Sequence, residues 1–321
     1  MSAASDSAAD IAVIIVTYKS GDDIDECLTR LSDADNLQVI VVDNDSSDDS
    51  VPRLEELERR GDISTLILNY ENVGFAKAVN AGIAVAKDKD VFLLNPDAQI
   101  SGRDINTLRV KAQRDPSIGI IAPLVSSGPT VAVMAAGRQP TLWPLFTHFS
   151  GLARAFPDKR SFRGRHLFMA HHSREQQDVE WVSGCALFVR ADVLARVGVL
   201  SERWFMYGED VEFAHRVLKS GYRVIVTPDV QAQHLIGSSV NKAGGRISTM
   251  WAENTYDYYV SEFEPNGLQR LLWRVIFSGG MLSRALLFVA RAQRDGVQKH
   301  EYLARARRFT RFSLAVWKRG S

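Results

Sequence analysis

Solid apolar runs alternate with helical spacings through the first hundred residues. Ile11 to Val16 is a continuous apolar run ended by Thr17-Tyr18-Lys19-Ser20-Gly21. Ile24, Cys27, Leu28 and Leu31 then recur at helical spacing. Val39 to Val42 repeats the pattern and runs into the polar stretch Asp43 to Ser50. A helix follows, with Val51, Leu54 and Leu57 on one face. Thr65 to Leu68 reads as a third short strand. Asn72-Val73-Gly74 opens another helix, along which Phe75, Val79, Ile83 and Ala86 stack. Val91-Phe92-Leu93-Leu94 is a strand buried on both faces, stopped by Asn95-Pro96-Asp97. Strand and helix alternate four times, which predicts βαβ units and a parallel sheet with right-handed crossovers.

The pattern loosens after Ser101. Ile118 to Leu124 reads as a strand. Residues 126–178, rich in Gly, Pro, His and Arg, read as loops covering an acceptor site. Glu180 to Arg190 is a long strand pattern broken by Gly184, a sign of close approach by a ligand or another backbone. Val211 to Ser220 is helical with Gly221 as its cap, and Arg223 to Thr227 is a further strand. From Trp251 onward the chain is helical and basic. Gly279-Gly280 divides its apolar stretch, 267–293, into two short segments.

Composition adds a compartment and a surface. The 321 residues are 45% hydrophobic and 24% charged, ordinary for a globular chain with a sizeable core. The net charge of +1 conceals a split: 266–321 carries 12 Lys/Arg against 2 Asp/Glu, on an otherwise acidic body. Such a tail implies an anionic partner surface, membrane or nucleic acid. The two cysteines, Cys27 and Cys185, show no metal or redox spacing, which suits a reducing compartment. Met1 to Asp10 has no basic or apolar segment and reads as a disordered leader, not a signal peptide. No run of 18 apolar residues is present.

Three strands end in polar residues along one expected edge: Thr17-Tyr18, Asp43 and Asp97. In open α/β sheets ligands bind outside the carboxyl ends of strands. Asp43 would accept a hydrogen bond from a base N–H or a ribose hydroxyl. Asp97 would ligate Mg²⁺ or Mn²⁺ on a diphosphate, unless Asn-Pro-Asp is only a turn. Asn72-Val73-Gly74 offers helix-start N–H groups to an anion. Glu209-Asp210, beside Trp204-Phe205-Met206-Tyr207, supplies two adjacent carboxylates. Burial and mutual repulsion would raise one pKa towards that of a general base, or the pair serves as an acidic first turn. His234 is a metal ligand or a structural histidine. No GxGxxG or GxxxxGK[ST] occurs, which removes the main support for dinucleotide and P-loop readings.

In order along the chain stand Val-Thr-Tyr at 16–18, Val-Val-Asp-Asn-Asp-Ser-Ser-Asp at 41–48, Asn-Val-Gly-Phe-Ala-Lys-Ala-Val-Asn-Ala-Gly at 72–82 and Leu-Leu-Asn-Pro-Asp at 93–97. Val-Ser-Gly-Cys-Ala-Leu-Phe-Val-Arg at 182–190, Phe-Met-Tyr-Gly-Glu-Asp at 205–210 and His234 follow. The set resembles family 2 glycosyltransferases across residues 11–240, and most resembles the bacterial rhamnosyltransferase branch. The resemblance implies an α/β fold of GT-A type: a Rossmann-like, mostly parallel sheet flanked by helices. Residues 11–100 would be the nucleotide-binding half, 101–240 the acceptor half, and 241–321 a helical, basic C-terminal extension.

The activity so implied is inverting transfer from a nucleotide-diphosphate sugar, dTDP-rhamnose by the branch, to a saccharide or lipid-linked saccharide in cell-envelope polysaccharide synthesis. Galactofuranose, glucose and N-acetylhexosamine are alternative donors. Asp210 matches the base, with Glu209 beside it. Asp97 stands at the last Asp of the Asp-x-Asp metal motif, Asn95 at the first, and His234 at the histidine that completes the metal site in some members. The nucleotide-sugar set becomes Thr17, Tyr18, Asp43, Asn72, Gly74, Lys77, Asn80 and Asn95. The acceptor set becomes Trp181, Ser183, Gly184, Trp204 and Tyr207. A divalent cation is the expected cofactor and nucleic acid is not an expected partner. The expected location is cytoplasmic, either free or peripheral on an anionic inner membrane face. A sugar-phosphate nucleotidyltransferase lacks its Gly-rich loop here, and a non-catalytic binding module would have lost Asp97, Asp210 or His234.

Overall fold

The computed structural model describes residues 10–126, 133–234, 249–294 and 298–318. All but the last residue of the expected leader lies outside them. They fall into two compact units, the first drawn from 1–136 and 168–245, the second from 137–167 and 246–321.

The first unit opens as the apolar runs predict: β1 (Ile11–Thr17), α1 (Gly21–Leu31), β2 (Leu37–Asp43), α2 (Ser50–Arg60), β3 (Thr65–Leu68), α3 (Phe75–Ala86) and β4 (Asp90–Leu94). It continues with β5 (Ala98–Gln99), α4 (Gly102–Arg114), β6 (Ile118–Ser126) and, at its border, β7 (Ala136–Gly137). Helices α5 (Leu142–Ser150) and α6 (Leu152–Ala155) belong to the second unit. The first resumes with α7 (Met169–His172), β8 (Gln177–Val179), β9 (Trp181–Val182), β10 (Ala186–Val189), α8 (Ala191–Val197), α9 (Glu209–Lys219) and β11 (Arg223–His234). The last helices, α10 (Met250–Phe263), α11 (Gly267–Arg294) and α12 (Lys299–Lys318), complete the second unit.

The main sheet runs β3-β2-β1-β4-β10-β6-β11-β5, with β8 also on β11. Strands β3, β2, β1 and β4 are mutually parallel, as are β6 and β11. β10 lies antiparallel between β4 and β6. The expected strand over 180–190 is therefore two strands around a turn at 183–185. The strand expected to end at Thr227 continues to His234 past a register shift between Thr227 and Gln231. Helices α1 and α2 bury Ile24, Leu28, Leu31, Leu54 and Leu57 against Val13, Ile15, Val39 and Val41. Each such side chain contributes about 1.5–3 kcal/mol of transfer free energy.

The second unit corrects two expectations. Residues 137–167 are not simply loops: Leu145 and Phe149 of α5 pack with Tyr256, Tyr259, Trp273, Phe277, Met281, Phe312 and Val316. Nor do Gly279 and Gly280 break the chain, since α11 is continuous over 28 residues. Gly280 is a packing position: a Cβ there would stand 2.1 Å from Phe149 Cδ1.

Candidate active site

Sheet register assembles the site. Thr17 lies opposite Asp43 across the β1–β2 pair, and Ile15 opposite Leu94 across β1–β4. Thr17, Asp43 and the 95–97 turn thus share one edge. Asp43 is buried, and its carboxylate organises the β2 turn. It accepts from Thr17 Oγ1 at 2.9 Å, Ser46 Oγ at 2.7 Å and Ser46 N at 2.8 Å. Ser46 Oγ also accepts from Lys19 N. Lys19 (φ 56°) and Asp45 (φ 61°) take left-handed backbone, which is uncommon away from glycine and clusters at functional sites. Tyr18 remains exposed beside this turn.

The start of α3 is not an open anion site. Gly74 N donates to Asn72 Oδ1 and Phe75 N donates to Phe205 O at 2.9 Å. Those two amides are taken by the protein itself. Asn44 joins the same junction: its amide donates to Gly74 O and accepts from Asn69. Lys77 is exposed on the first turn of α3. Asn80 braces the fold, exchanging hydrogen bonds with the Leu200 backbone and donating to Glu202.

Asp97 and His234, 137 residues apart, meet because β5 pairs with the end of β11, His234 opposite Ala98. His234 Nε2 lies 3.1 Å from Asp97 Oδ1, and Asp97 is buried. Burial opposes charge on the His234 ring. Hydrogen bonds to Asp97 and Cys185 outweigh it and lift the pKa to about 10. The thiols nearby are poor ligands. Burial, then the charge of Asp97, pushes Cys27 up to about 12, and burial raises Cys185 as well. The His234 ring is thus charged and paired with Asp97 near neutral pH; a divalent cation would displace the Nε2 proton and take the imidazole nitrogen and the carboxylate as its protein donors. Among the described residues no third His, Cys, Asp or Glu completes a protein cage. One or two protein carboxylates, with diphosphate oxygens and water for the rest, is the usual arrangement for Mg²⁺ on a nucleotide, and this site has one, Asp97, beside His234. Asn95 N donates to Cys185 O, which ties this turn to the one before β10.

That second turn holds the acid pair. Gly184 N donates to Asp210 Oδ2 at 3.1 Å, and Val211 N to Asp210 Oδ1 at 2.8 Å. Asp210 is half-buried, with its carboxylate oriented by amides. Glu209 is buried, and its Oε2 has no hydrogen-bond partner among the described residues. Burial, then the charge of Asp210, pushes the Glu209 carboxyl up to about 8. The elevated member of the pair is therefore Glu209. Before them Tyr207 (φ 69°) turns the chain into α9.

Trp181 and Trp204 are buried, which leaves them little surface for an acceptor, whereas Tyr207 and Phe205 are exposed. Ser183 N donates to Ala135 O and its hydroxyl accepts from Cys185 N. Sequence reasoning missed Phe205, Asn44 and Cys185 as parts of the site. All three sit inside the motif stretches, so position was the available signal.

The fold is of GT-A type, and the chain belongs to glycosyl transferase family 2, whose profile matches residues 12–174. It is similar to the N-acetylglucosaminyl-diphospho-decaprenol L-rhamnosyltransferase of Mycobacterium tuberculosis, 27% identical over 87% of this chain and 92% of that one. It is also similar to the low-salt glycan biosynthesis hexosyltransferase Agl10 of Haloferax volcanii, 28% identical over 70% of this chain and 67% of that one. In fold it resembles the mannosyltransferase PcManGT from Pyrobaculum calidifontis, solved in complex with GDP-Man and Mn²⁺. The TM-score is 0.57 at 19% identity, over 96% of this chain and 85% of that one. The chain is a glycosyltransferase.

Proposed function

We propose that the enzyme transfers L-rhamnose from dTDP-rhamnose, with inversion, to a lipid-diphosphate-linked saccharide in cell-envelope polysaccharide synthesis. The supporting observation is the near end-to-end similarity to the rhamnosyltransferase whose name states such an acceptor. The similarity to a hexosyltransferase over a shorter span supports the broader reading, another hexosyl donor on the same site.

In this reading the Asp43 turn, with Thr17 and Tyr18, takes the nucleoside, and Lys77 meets the diphosphate. Asp97 and His234 would hold the divalent cation, which supplies positive charge to the departing diphosphate when bound. Asp210, oriented by the amides of Gly184 and Val211, takes the proton of the acceptor hydroxyl. The freed oxygen forms its bond to the anomeric carbon as the bond to the diphosphate oxygen breaks on the opposite face. That geometry inverts the centre and releases the nucleoside diphosphate. Tyr207 and Phe205 offer exposed rings to the acceptor sugar. The enzyme would work in the cytoplasm, where nucleotide sugars are made.

The test is a thermal-shift series with dTDP-rhamnose, UDP-N-acetylglucosamine, UDP-galactofuranose and GDP-mannose, each with and without Mn²⁺. The cognate donor stabilises in proportion to RT ln(1 + [L]/Kd). The largest shift is expected for dTDP-rhamnose with Mn²⁺. A larger shift with a uridine or guanosine donor would overturn the rhamnosyl assignment and leave the class intact.

A further inference from the structure

We propose that α11 is a membrane-docking face: its outward side seats on the surface of an anionic lipid bilayer. This deepens the reading of a lipid-linked acceptor and rests on it only for its purpose, not for its evidence.

Among the described residues, 20 large apolar side chains are exposed, and 8 of them lie on α11. Leu268, Leu272, Val275, Leu282, Leu286 and Val289 follow one another at spacings of three, four or seven, so they form one stripe along the helix. Leu268 is 65% exposed and Leu286 is 69% exposed. The stripe runs for about 30 Å, at roughly 1.5 Å per residue. Contiguous exposed apolar surface of that extent marks an interaction site.

The charge pattern selects the occupant. The 28 residues of α11 contain five arginines and no acid. Three of them are turned off the stripe. Arg274 lies over the Tyr256 ring at 4.6 Å, Arg284 over Phe149 at 4.8 Å and Arg291 over Phe288 at 5.4 Å. Helix α12 adjoins: Ser278 Oγ donates to Ser313 O and accepts from Trp317 Nε1 at 2.7 Å. The Trp317 ring stays 43% exposed, an amphipathic group of the kind that settles at headgroup level. Leu303, Arg307, Leu314 and Trp317 fall on one side of α12 by helical spacing, so basic and apolar groups share that side. An uncharged stripe on a helix pair whose exposed charges include Arg270, Arg291 and Arg294 of α11 and Arg307, Arg308 and Arg311 of α12 is the composition of a membrane-interface element.

Two other occupants fit less well. A second copy would set one segment with 12 Lys/Arg against 2 Asp/Glu beside another of the same charge. Crossing the bilayer would require lipid around Trp273, Phe277 and Met281, which are instead fully packed in the core of this unit.

The experiment is flotation of the full chain with vesicles of phosphatidylglycerol and phosphatidylethanolamine, and with neutral phosphatidylcholine vesicles. The variants are Leu282→Asp/Leu286→Asp and Arg307→Glu/Arg311→Glu. Wild type should float with the anionic vesicles at low salt. The leucine pair should lose that binding roughly tenfold or more per residue, with its circular-dichroism melt unchanged because both sites are exposed. The arginine pair should bind anionic vesicles more weakly than wild type. Wild-type protein left in the supernatant, or wild-type flotation of the leucine pair, would overturn the proposal. So would a wild-type dimer in sedimentation equilibrium that the leucine pair disperses, without flotation of either, since the stripe would then meet a second copy. No sugar enters the assay, so its outcome is separate from that of the donor screen.

Discussion

Glu209 and Asp210 are neighbours in sequence with different surroundings. Glu209 is buried with an oxygen that has no hydrogen-bond partner among the described residues, while Asp210 is half-buried and bonded to the amides of Gly184 and Val211. Asp210→Asn keeps the shape but cannot take a proton. Turnover should fall by roughly 10²–10⁴ with donor affinity nearly unchanged, measured by single-turnover transfer and calorimetry. Glu209→Gln should retain turnover within about tenfold, because its carboxyl, held up to about 8, is already largely neutral near pH 7. If the two variants exchange these outcomes, Glu209 is the base. Asp97→Ala removes the carboxylate that faces His234. The extra thermal shift that Mn²⁺ gives a donor should then disappear, while the shift from donor alone remains.

At the scale of elements, the site is a product of register. β5 against β11 brings His234 to Asp97, and β10 against β4 brings Gly184 and Cys185 to Asn95. The parallel strands were legible because buried strands read as unbroken apolar runs. β11 was legible only to Thr227. Past Pro228 it turns one face outward, and Gln231 and Gln233 break the apolar run. Residues Asp43, Asp97, Asp210 and His234 were legible as strand ends and motif positions. Asp97 and His234, 137 residues apart, came together only through the family resemblance, and the Gly184 amide on Asp210 and Ser46 on Asp43 left no local signal. Residues 137–167 hid their helices because α5 buries Pro144, Leu145 and Thr147 while Trp143 and Phe146 stay exposed, which leaves no clean amphipathic period. At the junction of α3 and the 205 loop, Gly74 has φ 88° and a Cβ there would sit 2.4 Å from Phe205 O. Gly74→Ala should cost about 2–4 kcal/mol in chemical denaturation. It should also weaken donor binding, since Asn44 bonds the Gly74 carbonyl. Stability equal to wild type would show that the 205 loop can move freely.

At the scale of the whole molecule, the two units answer pH in opposite directions. In the first, burial raises the folded pKa of Glu209 from 4.5 to about 8. Between those values the folded state holds a proton that the unfolded chain has lost. Stability is therefore greatest at the acid end of that window and declines as pH rises through it. In the second, burial, then the positive groups His166, Arg284 and Arg165, lowers the His148 pKa from 6.5 to about 2. Its Nε2 lies 2.8 Å from Arg284 Nη2, which suits a neutral ring accepting from the guanidinium. Below pH 6.5 the unfolded chain takes up a proton that the folded ring refuses, so stability falls as pH drops. Each effect is on the order of a few kcal/mol across its window. Scanning calorimetry from pH 4.5 to 8.5 should show the balance. Between pH 4.5 and 6.5 the two slopes offset, so Glu209→Gln should abolish the decline above pH 6.5 and uncover a loss on the acid side, and His148→Gln should extend the decline down to pH 4.5. A Glu209→Gln curve parallel to wild type between pH 5 and 8 would mean that the buried carboxyl is already ionised, with its charge met by a group that approaches in solution.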